Sequence, residues 1–66
     1  MKMGEIIKEL RTSKGISQRE LANAIGFSQS SIVFWERNQK EPTACAIKKL
    51  ALFFDTSADY LLGLEK

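Results

Sequence analysis

Ser28, Gln29, Ser30, Val33 and Phe34 fall within seven residues and set short hydroxyls and a carboxamide beside apolar groups. Hydroxyls and amides can hydrogen-bond to base edges and apolar groups can meet thymine methyls, so this set suits the major groove of a duplex. An ordinary solvated helix face has a similar make-up, so the elements that position the set must decide between the two readings. Covalent chemistry has little to work with. Histidine is absent and Cys45 is the single cysteine, which removes the most versatile general base, an intrachain disulfide and a structural zinc site. No catalytic residue, metal or cofactor is expected, and an enzyme is the remotest reading.

The punctuation of the chain is helical. Ile7 and Leu10, with Ile6 and Met3, recur at three- and four-residue spacing and predict a first helix over Gly4 to Lys14, ended by Gly15. Ser17-Gln18-Arg19-Glu20 reads as a capping box opening a second helix that runs to Ile25 and stops at Gly26. Ser28 is the next N-cap, for a third helix through about Arg37, and Asn38 can take the left-handed conformation that ends it. Pro42 precedes the cap Thr43, and a fourth helix carries Ile47, Leu50, Ala51 and Phe54 on one face. Ser57 caps a short fifth helix with Leu61 and Leu62 inward. Strand and hairpin signals are nearly absent. The expected fold is all-α, five short helices in one domain over residues 1–66.

Gln18 to Arg37 carries the most information. Two helices that cross steeply through a short turn need a small residue at the crossing, which Ala22 supplies. They also need a residue free to take positive φ, which Gly26 supplies. Leu21, Ala22 and Ile25 then face inward on one helix, and Ile32 and Trp35 on the next. Ser28, Gln29, Ser30, Val33 and Phe34 are left on the outside. Propensity alone would make this a poor helix, and the spacing of Ala22, Gly26, Ile32 and Trp35 favours the groove-reading face over an ordinary solvated one. At the start of the second helix, Ser17 and Gln18 combine exposed amides with the positive end of a helix dipole, which suits a phosphate. Arg19 is a weaker candidate.

Sixty-six residues leave room for one domain, and a chain this short buries a marginal core that a second copy would strengthen. The composition, 44% hydrophobic and 27% charged, is that of an ordinary globular domain. A net charge of +2 is too mild to argue for nucleic acid by itself, so the arrangement of charges matters more. No apolar run is long enough to span a bilayer and no signal-peptide pattern opens the sequence, so a cytoplasmic protein without a membrane partner is expected.

The run SQRELANAIGFSQSSIVFWERNQKEP, followed by IKKLA and DYLLG, resembles the Cro and phage-repressor-like (Xre-type) helix-turn-helix family. The resemblance extends from Ile7 to Gly63. It implies a five-helix fold with the third helix in the major groove, and a two-fold dimer on a palindromic site. It matches Gln29, Ser30 and Phe34 to the family's base-reading positions, with Ser28 and Val33 beside them. Phe34 departs from the polar residue often found there, which leaves it either meeting a thymine methyl or packing on the domain's own surface. Arg37, Asn38 and Lys40 match the second region of backbone contact. Arg11 and Glu36 match a pair joined between helices one and three. A basic residue that some relatives carry near Ala44 is missing, which weakens any minor-groove readout.

Leu52, Phe53, Tyr60 and Leu64 form a candidate dimer surface, unless they serve instead to thicken a thin core. Cys45 reads as a small residue in the first turn of helix four. Three classes of function follow: a repressor or autoregulator, an antitoxin that also binds a toxin protein, or a protein-interaction module that has lost DNA binding. The short tail after YLLG disfavours the second, and a third-helix face free of acidic groups disfavours the third. No small-molecule ligand is evident.

Overall fold

Four of the five helices begin where a hydroxyl precedes a helix-forming run, and the fifth borrows its cap from a distant residue. The computed structural model describes residues 2–64, with α1 Met3–Ser13, α2 Gln18–Ile25, α3 Gln29–Glu36, α4 Ala44–Phe53 and α5 Ala58–Leu61. No strand occurs among the described residues. Position 1 and positions 65–66 of the expected 1–66 domain lie outside them. The side chains of Ser17, Ser28, Thr43 and Ser57 accept from the amides of Glu20, Ser31, Ala46 and Tyr60. At Ser17 the box is reciprocal: Glu20 N donates to Ser17 Oγ at 3.0 Å and Ser17 N donates to Glu20 Oε1 at 2.9 Å. A cap of this kind contributes about 1 kcal/mol. Lys2, the N-cap of α1, makes no side-chain cap. Gly4 N donates instead to Oδ1 of Asn38, 34 residues further along, at 3.1 Å.

α1 is displaced one residue toward the N-terminus from the expected Gly4–Lys14, with Lys14 as its C-cap. Gly26 and Asn38 are left-handed, at φ 77° and 58°. The turn between α4 and α5 holds a second non-glycine residue in that region, Asp55 at φ 53°, which the sequence does not announce.

Every helix contributes one large, fully buried side chain: Ile7, Leu21, Ile32, Leu50 and Leu61. Burying an aliphatic side chain of this size stabilises by about 1.5–3 kcal/mol, and together these five bind the helices into one core. Ile6, Ala22, Ile25, Trp35, Ala46 and Phe54 complete the core. α3 packs on both α1 and α2, while α4 packs on α2 and α5, and α5 returns to α1. Leu62 departs from the inward position expected of it. α5 is a single turn that ends at Leu61, so Leu62 serves as its C-cap and is 42% exposed.

Candidate nucleic-acid interface

The angle of α3 is set by a crossing and a tether. At the crossing, Ala22 is buried beneath α3, and its carbonyl receives the amides of Gly26 and Phe27, the latter at 2.9 Å. Gly26 then turns the chain so that Phe27 packs edge-on against Trp35, with ring centroids 5.3 Å apart. The tether lies at the other end of α3. Glu36 Oε2 accepts from Arg11 Nε at 2.6 Å, and Glu36 Oε1 accepts from Arg11 Nη2 at 3.2 Å and from Gln18 Nε2 at 3.1 Å. Arg11 Nη1 also donates to the carbonyl of Ile16 at 2.7 Å. One ion pair, 12% and 5% exposed at its two side chains, therefore joins α1, the α1–α2 loop, the start of α2 and the end of α3.

With its inner face fixed this way, α3 presents the other outward. Ser28, Gln29, Ser30 and Phe34 are exposed and Val33 is half-buried. Gln29 and Ser30 make no side-chain hydrogen bond among the described residues, so their polar atoms are free for a ligand. Ser28 is less free: its hydroxyl caps α3 through Ser31 N at 3.2 Å and pairs with Ser31 Oγ at 3.0 Å. Phe34 does not fold back into the core. Its ring lies under the ammonium of Lys40, 4.8 Å from Nζ to centroid, a contact between two candidate residues that the sequence does not reveal.

The candidate phosphate contacts divide into free and committed groups. Ser17, Arg19, Arg37 and Lys40 are exposed. The amides of Gln18 and Arg19, in the first turn of α2, have no intrahelical acceptor. The side chain of Gln18, however, is spent on Glu36, and that of Asn38 on Gly4 N, so these two are structural in the free chain. Neither link could be read from spacing, since the partners lie 18 and 34 residues apart.

Of the candidate dimer residues, Leu52 is 73% exposed and Tyr60 and Leu64 are also open. Phe53 is different. It is half-buried against the core, with its ring 5.1 Å from that of Phe54 and the ammonium of Lys14 5.4 Å above it. Cys45 is exposed near the start of α4. Among the described residues no acidic, histidine or cysteine cluster could hold a metal ion, and no helix is long and apolar enough to cross a membrane.

Two helices joined through a left-handed glycine, with the second laid bare on its polar face, define a helix-turn-helix domain. Residues 7–61 match the helix-turn-helix family HTH_3, and the chain belongs to that family, which is one of DNA-binding transcriptional regulators and not of enzymes. Over 66 residues it is 30% identical to the HTH-type transcriptional regulator ImmR of Bacillus subtilis, covering 100% of this chain and 52% of ImmR. The chain thus spans about half the length of that relative. The P22 c2 repressor, crystallised in complex with synthetic operator 9T, matches it with a TM-score of 0.93 and 34% identity over 98% of each chain. The restriction-modification controller protein C.AhdI from Aeromonas hydrophila matches with a TM-score of 0.82 and 37% identity over 89% of each chain.

Proposed function

We propose that this domain binds double-stranded DNA sequence-specifically with α3 in the major groove, as a homodimer on a palindromic operator, and represses transcription. The observation that carries the reading is the match over 98% of the chain to a repressor bound to its synthetic operator, at 34% identity. Gln29 pairs with a base edge, most simply adenine through its carboxamide. Ser30 and Ser28 offer hydroxyls, and Val33 and Phe34 meet apolar base surface such as thymine methyls. The amides of Gln18 and Arg19, the Ser17 hydroxyl, and Arg19, Arg37 and Lys40 take phosphates, which position the domain without reading sequence. The backbone of Asn38 contributes the bend that presents Lys40. A two-fold dimer through Leu52, Tyr60 and Leu64, with Phe53 at its margin, would set two recognition helices ~34 Å apart, one turn of B-DNA. The reading needs no cofactor or small-molecule ligand and places the protein in the cytoplasm.

The test is selection of bound sequences from a random duplex pool at ~150 mM salt, where nonspecific phosphate binding is weakened. An inverted repeat with half-sites about one turn apart, placed upstream of a reporter and silenced by the protein, is the expected result. Recovery of no enriched sequence would overturn it in favour of a protein partner.

A further inference from the structure

The geometry points to Lys2 as a further phosphate-binding residue, seated with Lys40 on a cleft that adjoins the outward face of α3. The inference rests on the reading of α3 as the recognition helix and extends its backbone contacts to the first helix. The cleft, of about 410 Å³, lies between the start of α1 and the turn after α3, and its lining includes Lys2, Gly4, Trp35, Asn38, Lys40 and Glu41.

Two observations connect this cleft to the proposed DNA face. Lys40 lines it while holding its ammonium 4.8 Å from the centroid of the Phe34 ring, so a single residue borders both surfaces. The first turn of α1 is also pinned to the end of α3. Gly4 N bonds Asn38 Oδ1, and a Cβ at Gly4 would lie 2.2 Å from the carbonyl oxygen of Trp35. Lys2 stands two residues before that pin, so its backbone is held in place, as the carbonyl that receives the amides of Glu5 and Ile6. Its side chain is exposed and forms no ion pair among the described residues. Lys2, Lys40 and Glu41 are the charged groups on the cleft, two cations to one carboxylate, which leaves one positive charge for an anion. The anion within reach of a surface continuous with α3 is a backbone phosphate of the same duplex. Such a contact fixes register and carries no base preference.

The test is Lys2→Gln, with Lys2→Arg beside it, measured on the selected duplex and on a random-sequence duplex across a salt series. The slope of log K against log salt should fall by about 0.9 for each bound copy of the chain on both duplexes. Base preferences and Tm should not change, and Lys2→Arg should restore the slope. An unchanged slope in Lys2→Gln, with wild-type binding intact, overturns this inference alone. Weaker binding at an unchanged slope with a lowered Tm overturns it too, by making Lys2 a residue of the fold. A wild-type chain without salt-dependent binding overturns both this inference and the reading beneath it.

Discussion

Replacing Glu36 with alanine should cost up to about 3–5 kcal/mol, the range for a buried pair, because it strands a guanidinium that is largely withdrawn from solvent. The Glu36 side chain is 5% exposed and receives three hydrogen bonds, two from Arg11 and one from Gln18. The Arg11 side chain is 12% exposed, and without Glu36 it keeps only the bond from Nη1 to the Ile16 carbonyl. A 66-residue domain has a typical net stability of about 3–10 kcal/mol, so this loss is of the order of the whole. At a urea slope of ~1 kcal/mol per molar, a loss of that size lowers the unfolding midpoint by about 3–5 M, or leaves the variant unfolded without denaturant. The assay is urea unfolding followed by circular dichroism. A second variant isolates the cause. Arg11→Met with Glu36→Leu removes both charges, and apolar replacement of a buried pair is often neutral or stabilising, so most of the loss should return. A single variant within ~0.5 kcal/mol of wild type would refute the burial argument, since that is the range of ordinary surface substitutions. A double variant no more stable than the single would refute the charge argument.

Gly4→Ala should destabilise by about 1–3 kcal/mol in the same unfolding assay, because its Cβ would press on the Trp35 carbonyl and drive α1 off α3. Wild-type stability would mean that the two helices part freely there. Gly26→Ala should cost about 1–2 kcal/mol from its φ of 77°, and a neutral result would mean that the turn relaxes. Gln29→Ala should lose about 1–3 kcal/mol of affinity on the selected site and little on random DNA. An equal loss on both would make Gln29 a positioning residue. Lys40→Ala should weaken binding to all duplexes and flatten the salt dependence by about 0.9 for each bound copy of the chain, and an unchanged slope would take Lys40 off the phosphate list.

Local chemistry made most of the scaffold legible in advance. The Ser17–Glu20 box, the hydroxyls at Ser28, Thr43 and Ser57, and the left-handed residues Gly26 and Asn38 are short-range signals, and each falls where its own sequence neighbourhood dictates. Apolar spacing likewise marked Ile7, Leu21, Ile32, Leu50 and Leu61 for the core. What escaped were interactions between residues far apart in the chain. Asn38 can be read as a helix stop, but not as the cap of α1, because nothing in its neighbourhood names Gly4. Gln18 looks like a free polar residue at a helix start until Glu36 is brought beside it. Phe34 left two readings open, a thymine methyl or the domain's own surface, and what its neighbourhood does not name is the ammonium of Lys40 that lies over its ring. Leu62 failed for a different reason: periodicity assumes that a helix continues, and α5 stops after one turn.

The most direct test of the central claim is titration of the selected duplex into the isotopically labelled chain, followed residue by residue through its backbone amides by NMR. Contact through α3 predicts that the amides of residues 28–34, the first turn of α2 and the 37–40 turn shift together, while those of the α4 core face stay in place. Saturable binding that moves none of the α3 amides, or that moves only α4 and α5, would contradict the account.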